Sequence, residues 1–96
     1  MCGHIFINGK LILESRAKIP VKDRGFLYGD GLYETLRSYG GFAFMLDEHI
    51  ARLFHSLKIL KYNIPFNEEY VWEAVRKTID KNNLMGKDAY IKIIVT

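Results

Sequence analysis

Two residue pairs, Asn8-Gly9 and Gly40-Gly41, constrain this chain more than any others. Each lies between short runs of β-forming residues and tolerates the positive φ that a two-residue hairpin turn requires. Ile5 to Ile7 therefore reads as a strand that turns at Asn8-Gly9 and returns as Leu11 to Leu13. Leu32 to Tyr39 alternates and is rich in β-formers; past Gly40-Gly41, Phe42 to Leu46 pairs back. Hairpins join antiparallel strands, which argues against a doubly wound parallel sheet.

The remaining segments complete the outline. Ile19-Pro20-Val21 reads as an extended edge segment, because proline donates no ladder hydrogen bond. Asp23-Arg24-Gly25 reads as a turn. Asp47 has the chemistry of a helix N-cap, its carboxylate facing free backbone N–H groups and the positive helix end. Ile50, Leu53, Phe54, Leu57 and Leu60 follow at helical spacing, so this helix should run to about Lys61. Asn67 caps a second helix with Glu68 and Glu69 in its first turn. Its buried stripe is Tyr70, Val71, Ala74, Val75, Thr78 and Ile79, and Asn82, Asn83 and Gly86 end it. Ala89 to Thr96 alternates again and reads as a strand. The order of hairpin, hairpin, helix, helix, strand predicts an α+β fold with antiparallel strands. A domain seldom stops on an apolar strand with no polar tail, so the chain is expected to be a fragment of a longer protein.

Composition narrows the function classes. The chain has 96 residues, enough for one small domain or part of a larger one. Apolar residues make up 49% and charged residues 26%, which argues against disorder. The net charge of +3 comes from scattered lysines and arginines without a basic stripe, which argues against nucleic-acid binding. No apolar run approaches a membrane span. The opening M-C-G-H-I-F-I-N-G-K lacks the basic-then-apolar pattern of a signal peptide and reads as structure. Cys2 is the sole cysteine; it cannot form an internal disulfide, and a reducing cytoplasm fits it best.

The glycines of Y-G-D-G-L-Y-E-T-L-R do not make a phosphate loop. The run lacks the third glycine of a dinucleotide fingerprint, and it leads into a strand where that motif opens a helix. Alternation divides the strand into one face with Leu32, Glu34 and Leu36 and another with Tyr33, Thr35, Arg37 and Tyr39. The second face is rich in donors and suits a carboxylate substrate, or else it is a solvated face. Glu34, between two leucines, either meets a buried partner or lies near the edge of the core. On the first helix, Ala51, Arg52, His55, Ser56 and Ile59 fall opposite the core stripe. That back face has few of the charges of a solvated helix and presents Arg52 at a seam with another protein layer, or simply to water. His49 and His55 are six apart, the wrong spacing for a metal pair on one helix face, and the histidines read as structural.

Taken together, N-G-K, D-R-G-F-L-Y-G-D-G-L-Y-E-T-L-R, G-G and M-L-D-E-H-I-A-R-L resemble the amino-terminal part of the class IV pyridoxal-phosphate enzymes. These are the branched-chain aminotransferases, D-amino acid aminotransferases and aminodeoxychorismate lyases. The resemblance implies that residues 1–96 are the smaller, amino-terminal domain of a fold type IV enzyme with pyridoxal 5'-phosphate between its two domains. It implies that Arg52 binds the cofactor's phosphate, and that Tyr28, Tyr33, Thr35, Arg37, Tyr90 and Lys92 line the substrate pocket. The lysine that forms the Schiff base belongs to the larger domain, beyond Thr96, so no catalytic residue is expected here and the piece alone should be inactive. The implied reaction moves an amino group between an amino acid, branched-chain first, and a 2-oxo acid such as 2-oxoglutarate, as in amino-acid biosynthesis. A cytoplasmic homodimer is expected, with no nucleic-acid or membrane partner. Tyr33 and Thr35 depart from the F-E-G run of branched-chain members, and Lys92 stands where some of them carry arginine. Aminodeoxychorismate lyase and D-amino acid aminotransferase are therefore the alternatives, and a non-catalytic interaction domain is the alternative outside enzymes.

Overall fold

A computed structural model describes residues 3–96, so Cys2 lies outside the described residues. The strands are β1 (His4–Ile7), β2 (Lys10–Leu13), β3 (Leu32–Tyr39), β4 (Phe42–Ala43) and β5 (Ala89–Val95). The helices are α1 (Arg24–Tyr28), α2 (Leu46–Ile59) and α3 (Glu68–Lys81). β1 and β2 form a two-stranded antiparallel sheet, and a second antiparallel sheet has the order β4-β3-β5. The α+β expectation holds.

Both hairpins form at the pairs named above. Ile7 faces Lys10 across Asn8 and Gly9, at φ 48° and 90°, and Tyr39 faces Phe42 across Gly40 and Gly41, at φ 59° and 85°. Gly41 is also a point of close approach: a Cβ there would lie 1.7 Å from the Met85 carbonyl oxygen. Its N–H donates to the Lys87 carbonyl at 3.1 Å, which pins the second hairpin to the loop before β5.

Several local readings need correction. Phe42 to Leu46 pairs back only as far as Ala43, because Met45 takes a left-handed φ of 53° and turns the chain into α2. Asp47 is therefore not the N-cap; it lies in the first turn beside Glu48, where both carboxylates still face the positive helix end. The helix stops at Ile59, and Leu60 is exposed rather than buried. Asp23-Arg24-Gly25 is not a plain turn but the entry to α1, with the Asp23 carboxylate accepting from Phe26 N–H at 3.2 Å. Ile19-Pro20-Val21 joins no sheet; Asp23 N–H donates to the Pro20 carbonyl in a turn, and Ile19 and Val21 stay exposed. Asn67 does cap α3, accepting from Tyr70 N–H at 2.9 Å.

The core lies between the inner face of the larger sheet and the two long helices. Leu36, Leu46, Ile50, Val71, Val75 and Ile79 form one buried cluster, flanked by Ile91 and Ile93. Leu53 and Leu57, each 1% exposed, fill the middle of the α2 stripe. Burying such a side chain stabilises by roughly 1.5–3 kcal/mol. The smaller sheet attaches through α3. The Asn82 side chain accepts from His4 N–H at 2.7 Å and donates to the His4 carbonyl at 3.0 Å, filling the role of a strand partner. Tyr70, expected in the buried stripe of α3, instead lies half out of the core, stacked on Phe66 and edge-on to Phe6.

Candidate functional site

The G-D-G run is a corner. Gly29 ends α1 in the left-handed region at φ 66°, and a Cβ on Gly31 would meet the Val95 carbonyl oxygen at 2.8 Å. Asp30 between them accepts from Arg24 Nε and the Tyr62 hydroxyl, both at 2.8 Å. The bond from Arg24 and then that from Tyr62 hold the Asp30 carboxyl below its usual range. Asp30 thus ties α1 and the segment after α2 to the start of β3. Thr96 adds a second tie, its hydroxyl donating to Asp23 at 2.7 Å.

From this corner β3 runs with two unlike faces. Glu34, Leu36 and Ser38 are buried, whereas Tyr33, Arg37 and Tyr39 are exposed and Thr35 is half-buried. The register with β5 sets Arg37 opposite Tyr90, Thr35 opposite Lys92 and Tyr33 opposite Ile94. The Arg37 guanidinium lies 4.9 Å from the centre of the Tyr90 ring, and Lys92 Nζ lies 4.8 Å from that of Tyr33. Tyr33, Thr35, Arg37, Tyr90 and Lys92 therefore form one surface. Neither Arg37 nor Lys92 has a carboxylate partner among the described residues. Tyrosine faces hold cations through the ring quadrupole while leaving their N–H groups free to meet an anion. β4 pairs only with Ser38 and Tyr39, so the Leu32–Leu36 part of β3 has β5 as its one strand neighbour among the described residues.

Tyr28 stands apart, at the end of α1 under the Arg24 guanidinium, 5.3 Å from its ring centre. Among the described residues, no hydrogen bond, ion pair or cation–π contact joins it to the β3–β5 surface.

Arg52 engages the opposite face of β3. Its Nε donates to Glu34 Oε2 at 3.0 Å and one Nη to Glu34 Oε1 at 2.7 Å. His49 Nδ1 meets the same Oε1 at 2.8 Å. Glu34 is 7% exposed, while the Arg52 side chain is 68% exposed. The bond from Arg52 holds the Glu34 carboxyl below its usual range; burial opposes this and His49 reinforces it. The same bond pushes the Arg52 guanidinium up. Of the two readings of Glu34, pairing is the one that holds, but the partners are the exposed Arg52 and the half-buried His49 rather than a buried group. His49 completes the cluster and is not picked out by sequence alone. Its signal lies in E-H-I-A-R, which sets His49 and Arg52 one turn apart on a helix beside a strand with a buried carboxylate.

Two surface hollows lie elsewhere, beside α2 and α3. One of about 180 Å³ is lined by Asp47, Ile50, Glu68, Glu69 and Trp72. One of about 500 Å³ lies among Phe54, Leu57, Tyr62 and Phe66. Neither includes a residue named above as a site residue.

The amino-transferase class IV model matches residues 31–96 of the chain. A putative branched-chain-amino-acid aminotransferase of Methanocaldococcus jannaschii is 48% identical over 92 residues, covering 96% of this chain and 31% of that protein. A D-alanine aminotransferase of Staphylococcus epidermidis is 35% identical over 88 residues, covering 92% of this chain and 31% of the other. The fold matches the solved structure of a branched-chain amino acid aminotransferase from Escherichia coli. That match has a TM-score of 0.87 at 31% identity and covers 98% of this chain and 32% of the other. The chain thus spans about a third of the length of these relatives. The matched region takes in the β3–β5 surface and the helix that carries Arg52, and on that ground the chain belongs to the class IV aminotransferases.

Proposed function

We propose that this chain is the smaller domain of a pyridoxal-phosphate aminotransferase and supplies one wall of its active site. The observation that carries the reading is the β3–β5 surface, where two cations without carboxylate partners among the described residues lie against tyrosine rings in a class IV chain. Arg37 and Lys92 attract the carboxylate groups of an amino acid or 2-oxo acid, and Tyr33 and Tyr90 hold both cations in place. Thr35 lies opposite Lys92 on the same surface. Tyr28 stands off this surface at the end of α1, and its place in the pocket is carried by the resemblance.

Arg52 fits a phosphate group. Glu34 grips one edge of its guanidinium and leaves three N–H groups free on an exposed side chain. Arginine's planar fork matches phosphate oxygens at such an edge. Pyridoxal phosphate, when bound, supplies the electron sink that lets an amino acid exchange its amino group. In this reading the residues of this chain bind and orient, and the lysine that moves the proton lies in a second domain.

Branched-chain amino acids with 2-oxoglutarate are the first substrate assignment, and the relative at 48% identity supports its branched-chain part. Tyr33 and the D-alanine relatives support a second reading, a D-amino acid aminotransferase. The resemblance also carries the expectation of a cytoplasmic homodimer; sedimentation of the full-length protein tests the dimer. Purified full-length protein should carry the visible absorbance of bound cofactor, removed by hydroxylamine. Parallel assays with leucine, D-alanine and aminodeoxychorismate should favour leucine. A colourless protein that gains no band with added pyridoxal phosphate would reject the enzyme reading in favour of an interaction domain.

A further inference from the structure

Glu34 is the one carboxylate buried in the larger sheet, and burying a carboxylate is unfavourable unless it is paired. Its two oxygens accept from Arg52 at 3.0 and 2.7 Å and meet His49 at 2.8 Å. An ionised carboxylate only accepts, so His49 Nδ1 carries the proton in this contact. An unbraced arginine samples many rotamers. The bidentate grip removes much of that freedom before any ligand arrives, and it turns the free edge of the guanidinium away from the strand.

We infer that Glu34 is the positioning residue for Arg52, aligning its free edge with the phosphate of the cofactor, and that His49 holds Glu34 in place. This rests on the reading of Arg52 as the phosphate ligand. Charge alone argues the other way. The Glu34 carboxylate repels a phosphate dianion, so if it acted only as a charge, neutralising it would tighten binding. Positioning requires that binding weaken, and the sign separates the two.

The test measures dissociation constants of pyridoxal phosphate and of pyridoxal, which lacks the phosphate, in the full-length protein. Arg52→Ala is expected to weaken pyridoxal phosphate and leave pyridoxal unchanged. Glu34→Gln should weaken pyridoxal phosphate about tenfold, on the scale of one charge-assisted hydrogen bond, again without affecting pyridoxal. Glu34→Asp keeps the charge but is one methylene too short to reach both nitrogens, and it should lose the same preference; it carries the test if the glutamine variant fails to fold. His49→Ala should give a smaller loss of about threefold. In the Arg52→Ala background, Glu34→Gln should change nothing further. Glutamine or aspartate variants that bind pyridoxal phosphate as tightly as the parent, or more tightly, overturn the inference. So does an equal loss with Arg52 already removed. If Arg52→Ala alone leaves the preference for the phosphorylated form intact, the phosphate reading of Arg52 falls first, independently of Glu34.

Discussion

On the inner face of β3 an arginine from α2 meets the carboxylate of Glu34; on the outer face the strand's own arginine meets a tyrosine ring. Both faces handle charge, and they do so in opposite ways. Inside, the carboxylate is satisfied by three donor contacts and shares its strand face with Leu36 of the buried core. Outside, Arg37 and Lys92 are held by ring faces and keep their N–H groups available. A paired ion supports the fold, while a stacked cation with no anion beside it remains free to bind one. Glu34 and Arg37 lie three residues apart on one strand, yet the pleat assigns them to different tasks.

Four measurements on the full-length protein test that contrast. The largest effect is expected from Leu36→Ala on the inner face, which removes a residue 4% exposed. It should destabilise by about 2–5 kcal/mol in denaturant unfolding, and a loss below about 1 kcal/mol would mean that this face is not core. On the outer face, the proposed substrate role predicts that Arg37→Ala raises the KM for an amino-acid substrate about tenfold, the scale of one charge-assisted hydrogen bond. The thermal midpoint should barely move, because an exposed cation–π pair contributes only about 0.5–1 kcal/mol. A large drop in midpoint with KM unchanged would make Arg37 a structural residue.

Ser38 offers a third test, because its sign is reversed. Its hydroxyl is fully buried and has no hydrogen-bond partner among the described residues. Ser38→Ala should therefore be neutral or stabilising by about 1 kcal/mol, since it removes an unsatisfied polar group. A clear loss would reveal a partner for that hydroxyl.

The smallest effect is the acid dependence of Glu34. Arg52 depresses its pKa below the ordinary 4.5, so the pair stabilises the folded state above that pH. That contribution should fade as the pH falls through the depressed folded-state value. Water around the exposed guanidinium screens the pair, and burial of the carboxylate opposes it. The stability gap between the parent and Glu34→Gln should be widest near neutrality and close in acid. A gap that stayed constant with pH would show that the charge of Glu34 plays no part.

Much of this contrast is legible in the sequence, because the pleat is a strict two-residue repeat and both turn pairs announce themselves. Tyr33, Thr35 and Arg37 share a face on that ground alone. Their joining to Tyr90 and Lys92 needs the β3–β5 register, which pairs distant segments and leaves no local signal. The partner of Glu34 is hidden for the same reason: the anomaly between two leucines is visible, but Arg52 arrives from another element. The errors are local. α1 is too short to show a period, with Gly25 as its second residue. The start of α2 follows Met45 at positive φ, a conformation that its side chain does not advertise. Asp47 has the right chemistry for a cap, two positions too late.

The antiparallel register of β3 with β5 carries a consequence for assembly in time. All of α2 and α3 is synthesised between the two strands. Closing so long a loop is entropically unfavourable until the helices have collapsed, so the local hairpins and helices should form before this pairing. β3 must wait, with its outer edge unmatched, until the last strand leaves the ribosome. The surface bearing Arg37 and Lys92 is therefore the last part of this chain to come into being. A nascent chain arrested before Ala89 would hold its hairpins and both long helices but only half of that surface.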